Sequence, residues 1–473
     1  MATSNRPPGP RRPLVGALIS PGRDPLRLFT RLAREYGDIV YFRMGGELVY
    51  FINHPQYIRD VLVTHQKNFT KSRGLERAKR LLGEGLLTSE GATHLRQRRL
   101  LQPAFHRDRI ANYASVMISH AERVRDRWSD GVTLDVAKEM MRLTLSIVGK
   151  TLFDSDVESK ADDVGVAVTE VLETFWFTLL PFQGLIERLP LPVLRRGRAS
   201  RARLDALIYS MINERRATGR DHGDLLSMLL AVGDDQRQGQ SPEDNQRQGQ
   251  SLLTPQQVRD EAITILLAGH ETTANALTWT WYLLSQHPEV EKRLHEEIDT
   301  VLDGRIPTLA DISRLTVVEQ VITESMRLYP PAWIIGRRAI DEYALGAYKL
   351  PPRAMIFMSP YVTQRDPRFF RDPERFDPSR WDHATAGELP KFAYFPFGGG
   401  ARQCIGEHFA WMELVLLVAT IAQRWQLRLV PNHPVVPQPL ITLRAKHGIA
   451  MTPVRRPSAR TAVGAGTSTQ VQV

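Results

Sequence analysis

Between Pro255 and Pro288 no proline interrupts the chain, and Thr254-Pro255-Gln256-Gln257 opens that stretch as a helix start. Thr254 serves as the cap, Pro255 suits the first helical position, and Gln257 completes a capping box. The stretch predicts about 32 residues of helix, roughly 48 Å long at 1.5 Å per residue. A helix of that length crosses an entire domain, so the rest of the chain must be built around it. Its middle reads Ile263-Thr264-Ile265-Leu266-Leu267-Ala268-Gly269-His270-Glu271-Thr272-Thr273. Glu271 and its threonines therefore stand in an apolar run. Charge in a core is costly unless it is paired or at work, which makes this segment the first candidate for chemistry.

Around it the pattern predicts a mainly α fold with a minor β part (α+β). Ile39–Arg43 and Leu48–Ile52 are short β-prone runs flanking Gly45-Gly46, as a hairpin requires. Pro55 opens a helical stretch, and residues 90–230 are largely helix-periodic. Tyr343 to Met358 has strand character, residues 360–396 are Pro-rich and irregular, and a last helix runs from just after Cys404 to about Trp425. Residues 1–25 read as a Pro/Gly-rich lead-in, 26–453 as one domain, and 454–473 as a disordered tail. Gln-Arg-Gln-Gly-Gln-Ser stands at 236–241 and again at 246–251. Its polar composition reads as a flexible loop over 233–251.

Composition removes several function classes. Lys and Arg number 62 against 52 Asp and Glu, a net charge of +10. The basic residues are scattered, with modest clusters at Arg96–Arg99 and Arg195–Arg203, and no zinc-finger or RNA-reading pattern accompanies them. An acidic protein partner is expected, and no nucleic acid. The single cysteine, Cys404, excludes internal disulfides and multi-cysteine metal sites. The longest N-terminal apolar run, Leu14–Ile19, is too short for a signal core, and no segment reaches eighteen apolar residues. No membrane span is expected, and the cytoplasm is the expected location. Three partial motifs fail: Ala274 occupies the second ligand position of a zinc-protease helix starting at His270. Thr144 stands where a phosphate loop ending at Lys150 needs glycine, and Gln403 stands where a dinucleotide fingerprint does.

Cys404 lies in Phe397-Gly398-Gly399-Gly400-Ala401-Arg402-Gln403-Cys404-Ile405-Gly406. The glycines let the backbone approach something closely. A helix start beside the sulfur, together with Arg402, is expected to favour the thiolate. Phe397, Gly400, Arg402, Cys404 and Gly406 match the Phe-x-x-Gly-x-Arg-x-Cys-x-Gly signature of the cytochrome P450 superfamily, which the chain resembles over nearly its whole length. Composition alone produces such a match on the order of once in ten thousand chains.

The resemblance implies that Cys404 is the axial iron ligand of haem b, with Phe397 shielding it. Ala268-Gly269-His270-Glu271-Thr272 resembles the oxygen-activating motif. It implies that Gly269 lets the helix pass close to the haem, that Thr272 holds dioxygen or water, and that Glu271 relays protons. Glu324 and Arg327, joined by Arg375 of Pro373-Glu374-Arg375-Phe376, are expected to lock the structure behind the haem. His94, Arg98 and Arg402, with either Arg337 or Arg338, are expected to meet the haem propionates.

The implied activity is insertion of one atom of dioxygen into a hydrophobic substrate. Fatty acids are favoured over terpenoids, and Arg73 is a carboxylate anchor only if it is not simply solvated. Electrons are expected from separate proteins, a ferredoxin or flavodoxin with its reductase. A pocket is expected from Phe175, Phe177, Leu267, Ala332, Ile334 and Ile441. The rival readings are a peroxide-using relative of the same fold, and a haem-binding sensor or carrier without turnover. The intact Glu271-Thr272 pair argues against both.

Overall fold

The structure is a computed structural model that describes residues 6–11, 24–44, 46–178, 191–234, 253–382 and 389–457. In order come α1 (Pro25–Tyr36), β1 (Ile39–Met44), β2 (Glu47–Ile52), α2 (Pro55–Arg59), β3 (Phe69–Lys71), α3 (Arg73–Leu82), α4 (Gly91–Leu101), α5 (Arg107–Arg127), β4 (Leu134–Asp135), α6 (Val136–Phe153) and α7 (Ala161–Thr178). Next are α8 (Pro192–Thr218), α9 (Leu225–Asp234), α10 (Pro255–Gln286), α11 (Pro288–Leu302), α12 (Thr316–Leu328), β5 (Ile335–Ala339), β6 (Tyr343–Leu345), β7 (Tyr348–Leu350), β8 (Met355–Met358) and α13 (Pro360–Thr363). The chain closes with α14 (Glu407–Ala422), β9 (Trp425–Leu429), β10 (Pro437–Pro439), β11 (Leu443–Ala445) and β12 (Ala450–Arg455).

The expected long helix is α10, 32 residues. Its capping box is formed: Gln257 N donates to Thr254 Oγ1 at 3.2 Å, and Thr254 N donates to Gln257 Oε1 at 2.9 Å. α6, α12 and α14 pack around it. Between Val258 and Trp281 every residue is buried except Leu267, Ala268, Gly269 and Thr272. Ala268 and Thr272, four apart, share one face, so the core helix is laid open at one place, midway along its length.

The β part is peripheral. One sheet runs β1-β2-β8-β5-β3, with β2 and β8 parallel and the other pairs antiparallel. The expected hairpin is present, with Met44 opposite Glu47. A second sheet runs β4-β12-β9. Among the described residues no helix is long and apolar enough to cross a membrane.

Three boundaries differ from expectation. The last helix ends at Ala422, because Trp425 begins a strand, is buried, and donates Nε1–H to Arg125 O at 2.7 Å. Val454 and Arg455, expected to begin the tail, instead complete β12 opposite Gln426 and Trp425, and residues 458–473 lie outside the described residues. Part of the lead-in is docked: Tyr41 N donates to Pro8 O at 2.9 Å, and the Arg6 guanidinium lies over the Tyr41 ring. Of the repeat-bearing loop, residues 235–251 lie outside the described residues, and 233–234 end α9.

Candidate active site

Glycine shapes the loop leading into α14. Gly400 takes φ +69°, and a Cβ there would meet Leu62 O at 2.0 Å, while Ala401 N donates to Gln66 Oε1 at 2.7 Å. No other residue fits that turn and that contact together. Cys404 N then donates to Phe397 O at 3.0 Å, and the sulfur accepts from Gly406 N–H. Phe397 packs on Trp411 of α14, ring centroids 6.0 Å apart. Cys404 keeps an exposed surface. Even so, its thiol is pushed up to about 11, first by burial of the sulfur and then by Glu407, against the Gly406 N–H and Arg98. The expectation that this loop by itself favours a thiolate is therefore corrected. Arg402 is engaged elsewhere, with Glu90 and with Ser89 O at 2.8 Å. A bound metal ion deprotonates a thiol that its protein surroundings leave neutral.

Positive charge converges beside the sulfur. Arg98 Nη1 donates to Gln403 O at 2.7 Å. Arg337 on β5 is buried and pushed down to about 10, first by burial and then by Arg402. Its neighbour Arg338 points to the opposite face of the strand and pairs with Glu76 at 3.4 Å. Strand alternation thus separates two arginines that looked equivalent. Lys71 sits opposite Arg337 in the β3–β5 register, buried and pushed well down by burial and by Arg402. The sequence reading missed Lys71; its only local signal is alternation along Phe69-Thr70-Lys71. His94 on α4 is pushed down to about 3 by burial, Arg402, Lys71 and Arg98. Without the haem it is therefore neutral at physiological pH, a group that meets a propionate by hydrogen bonding.

On α10, Thr272 Oγ1 donates back to Ala268 O at 2.7 Å. Thr273 and Thr278 do the same toward Gly269 O and Ala274 O. That bond does not single Thr272 out; its place on the open face does. Gly269 also makes a contact with a neighbouring helix. A Cβ there would meet Val148 of α6 at 3.0 Å, so its missing side chain admits a neighbouring helix. Glu271 is buried; it pairs with Arg444 Nε at 2.8 Å and accepts a short hydrogen bond from Thr442 Oγ1.

Glu324 and Arg327 on α12 are fully buried and joined by two bonds of 2.8 Å. Arg327 also donates to the carbonyls of Gln364, Pro373 and Arg375. The arginine that joins Glu324 is Arg380, through Nε at 2.9 Å. Asp377 N and Trp381 Nε1 add donors at 3.0 and 2.8 Å. Arg375 is exposed and contributes its backbone carbonyl alone, which corrects its expected side-chain role.

The family model for cytochrome P450 matches residues 7–453. The chain belongs to the cytochrome P450 family. It is 40% identical over 92% of both chains to cyclooctatin synthase of Streptomyces melanosporofaciens. Cyclooctat-9-en-7-ol 5-monooxygenase of the same organism is 39% identical over 89% of both chains. Pentalenene oxygenase of Streptomyces avermitilis is 37% identical over 91% of this chain and 93% of that one. Among solved structures, the haem domain of cytochrome P450DA superposes with a TM-score of 0.82 at 26% identity, over 95% of this chain and 98% of the other. The protein is therefore a cytochrome P450 monooxygenase, and its cofactor is haem b.

The residues expected to line a P450 pocket are in part brought together. Leu443 N donates to Pro331 O at 2.9 Å, and Trp333 Nε1 to Leu440 O at 2.8 Å. These bonds set Ala332 and Ile334 on one segment beside Ile441 on the other. All three are half-buried, as is Leu267 on α10. Phe175 and Phe177 belong to α7, but their side chains lie outside the described residues. Arg73 is tied to Glu47, which leaves it poorly suited to anchor a carboxylate.

Proposed function

We propose that this cytochrome P450 oxygenates a cyclic terpenoid, at a haem whose iron is held by Cys404. The observation that carries the substrate class is the 37–40% identity, over about nine-tenths of each chain, to enzymes named for pentalenene, cyclooctat-9-en-7-ol and cyclooctatin. For fatty acid, the class favoured from sequence, one of the two candidate anchors, Arg73 and Arg77, is engaged: Arg73 is paired to Glu47. The half-buried, apolar Leu267, Ala332, Ile334 and Ile441 suit a hydrocarbon skeleton better than a carboxylate.

The residues fit the cofactor. Arg98, Arg337 and Arg402 gather positive charge against Glu90, a surplus that two propionates would neutralise, with Lys71 beside them as a neutral donor. The Cys404 sulfur, which accepts from Gly406 N–H, is the soft ligand that haem iron takes in this family. When bound, the haem supplies the activation of dioxygen. The chain's own groups do the rest. Thr272 presents a hydroxyl on the open face of α10, and Glu271 behind it is the acid of the proton path. The Glu324–Arg327–Arg380 network holds the layer behind the loop. Electrons are drawn from a ferredoxin or flavodoxin and its reductase, an acidic partner suited to a chain of net charge +10. The cytoplasm is the compartment that supplies such partners.

The test uses the purified holoenzyme with ferredoxin, ferredoxin reductase, NADPH and isotopically labelled dioxygen. Pentalenene, cyclooctat-9-en-7-ol and fatty acids of similar size are offered in parallel. One labelled oxygen atom in a terpenoid product is expected. Product from the fatty acids alone, or product without label, overturns the reading.

A further inference from the structure

Glu271 is bound into a network that crosses three parts of the fold. Its Oε1 accepts from Arg444 Nε at 2.8 Å and from Thr442 Oγ1. Thr442 Oγ1 in turn accepts from Asn275 Nδ2 at 3.1 Å, one turn along α10. Arg444 Nη1 donates to Thr169 Oγ1 of α7 at 2.9 Å. The segment bearing Thr442 and Arg444 is itself fixed: Trp279 Nε1 donates to Leu443 O at 3.0 Å. Both charged side chains are nearly sealed, with 10% and 5% of their surfaces exposed for Arg444 and Glu271.

Two charges face Glu271 in this network, and one of them is switched off. His270, next to it on α10, is fully buried and pushed down by that burial, so it is neutral at physiological pH. The guanidinium of Arg444 is left as the charge paired with Glu271, on the same carboxylate oxygen that accepts from Thr442 Oγ1. A buried ion pair of this kind adds little net stability over an apolar substitute, while loss of one partner leaves the other uncompensated. Its effect here is placement: it joins the acid to residues 440–445, beside the segment assigned above to the substrate.

We propose that Arg444 is a positioning residue for Glu271, setting both its charge and its orientation, so that coupling of dioxygen use to product depends on a residue of β11. The inference rests on the monooxygenase reading of Glu271 above. The first test is independent of turnover. Infrared difference spectra of the holoenzyme should show a new protonated-carboxyl band in Arg444→Gln that is missing from Arg444→Gln/Glu271→Gln and from Arg444→Lys. No new band in Arg444→Gln, or one that persists in the double variant, overturns the proposal.

The second readout is peroxide released against product formed. Displacing an acid–base group by about 1 Å costs up to about 100-fold, so product per NADPH should fall by up to that factor in Arg444→Gln and recover in Arg444→Lys. Should Arg444→Gln fail to fold, Arg444→Met carries the same two readouts; unchanged coupling there overturns the proposal. Should the native enzyme oxygenate no terpenoid, the proposed function fails while the infrared result still decides the role of Arg444.

Discussion

Replacing Arg380 and Arg375 separately by alanine distinguishes the network seen here from the one expected from sequence. Arg380 Nε reaches Glu324 at 2.9 Å, and its side chain is 13% exposed. Glu324 keeps both bonds to Arg327 and those from Asp377 N and Trp381 Nε1 when Arg380 is lost. A hydrogen bond to a charged group contributes about 1.5–3 kcal/mol, so Arg380→Ala should cost about 2 kcal/mol. Arg375 is exposed and gives the network its backbone carbonyl, which alanine retains. Arg375→Ala should therefore stay within about 0.5 kcal/mol of the native protein, as surface changes do. Glu324→Gln strips the charge from a fully buried partner of Arg327 and should cost about 3–5 kcal/mol. The assay is the denaturant midpoint of the holoprotein, followed together by backbone dichroism and by haem absorbance. The reasoning is refuted if Arg375→Ala shifts the midpoint as far as Arg380→Ala.

Other predictions follow from the same geometry. Arg337→Ala should speed haem loss to apomyoglobin, whereas Arg338→Ala, which removes an exposed pair with Glu76, should leave it unchanged; equal rates would contradict the strand-face assignment. Glu261 is fully buried beneath Leu86, whose N–H donates to it at 2.9 Å, and burial pushes its carboxyl up to about 7 from 4.5. The folded state therefore binds this proton more tightly than the unfolded state, and stability should decline as pH rises from 4.5 to 7, by roughly 3 kcal/mol in all. Glu261→Gln should flatten that decline in pH-resolved melting, and a slope identical to the native one would count against the assignment. Thr272→Ala should raise peroxide release with the haem spectrum intact; unchanged peroxide would remove Thr272 from the proton path.

Much of the site was legible because its signals are local. The cap at Thr254, the proline-free run and the glycines before Cys404 each act within a few residues, so their consequences can be read in one stretch of chain. What was not legible depends on residues far apart. Pro373-Glu374-Arg375-Phe376 and Pro378-Ser379-Arg380-Trp381 look alike as strings, and only the packing of α12 against the second segment selects Arg380. The need for a small residue at 269 was readable, but not that α6 also packs against it. Lys71 joins the arginine cluster through strand pairing with Arg337, and Glu271 meets an arginine 173 positions away. The thiol of Cys404 reverses its expected tendency because desolvation of the sulfur outweighs one amide and one guanidinium.

The central claim, that Cys404 carries haem as a thiolate in a working P450, is tested most directly by the absorption spectrum of the reduced holoenzyme under carbon monoxide. The account predicts the red-shifted Soret band of a cysteine-thiolate haem in the native chain and its loss in Cys404→Ser. A band at the position of histidine-ligated haem in the native protein, or a red-shifted band that survives Cys404→Ser, would contradict it.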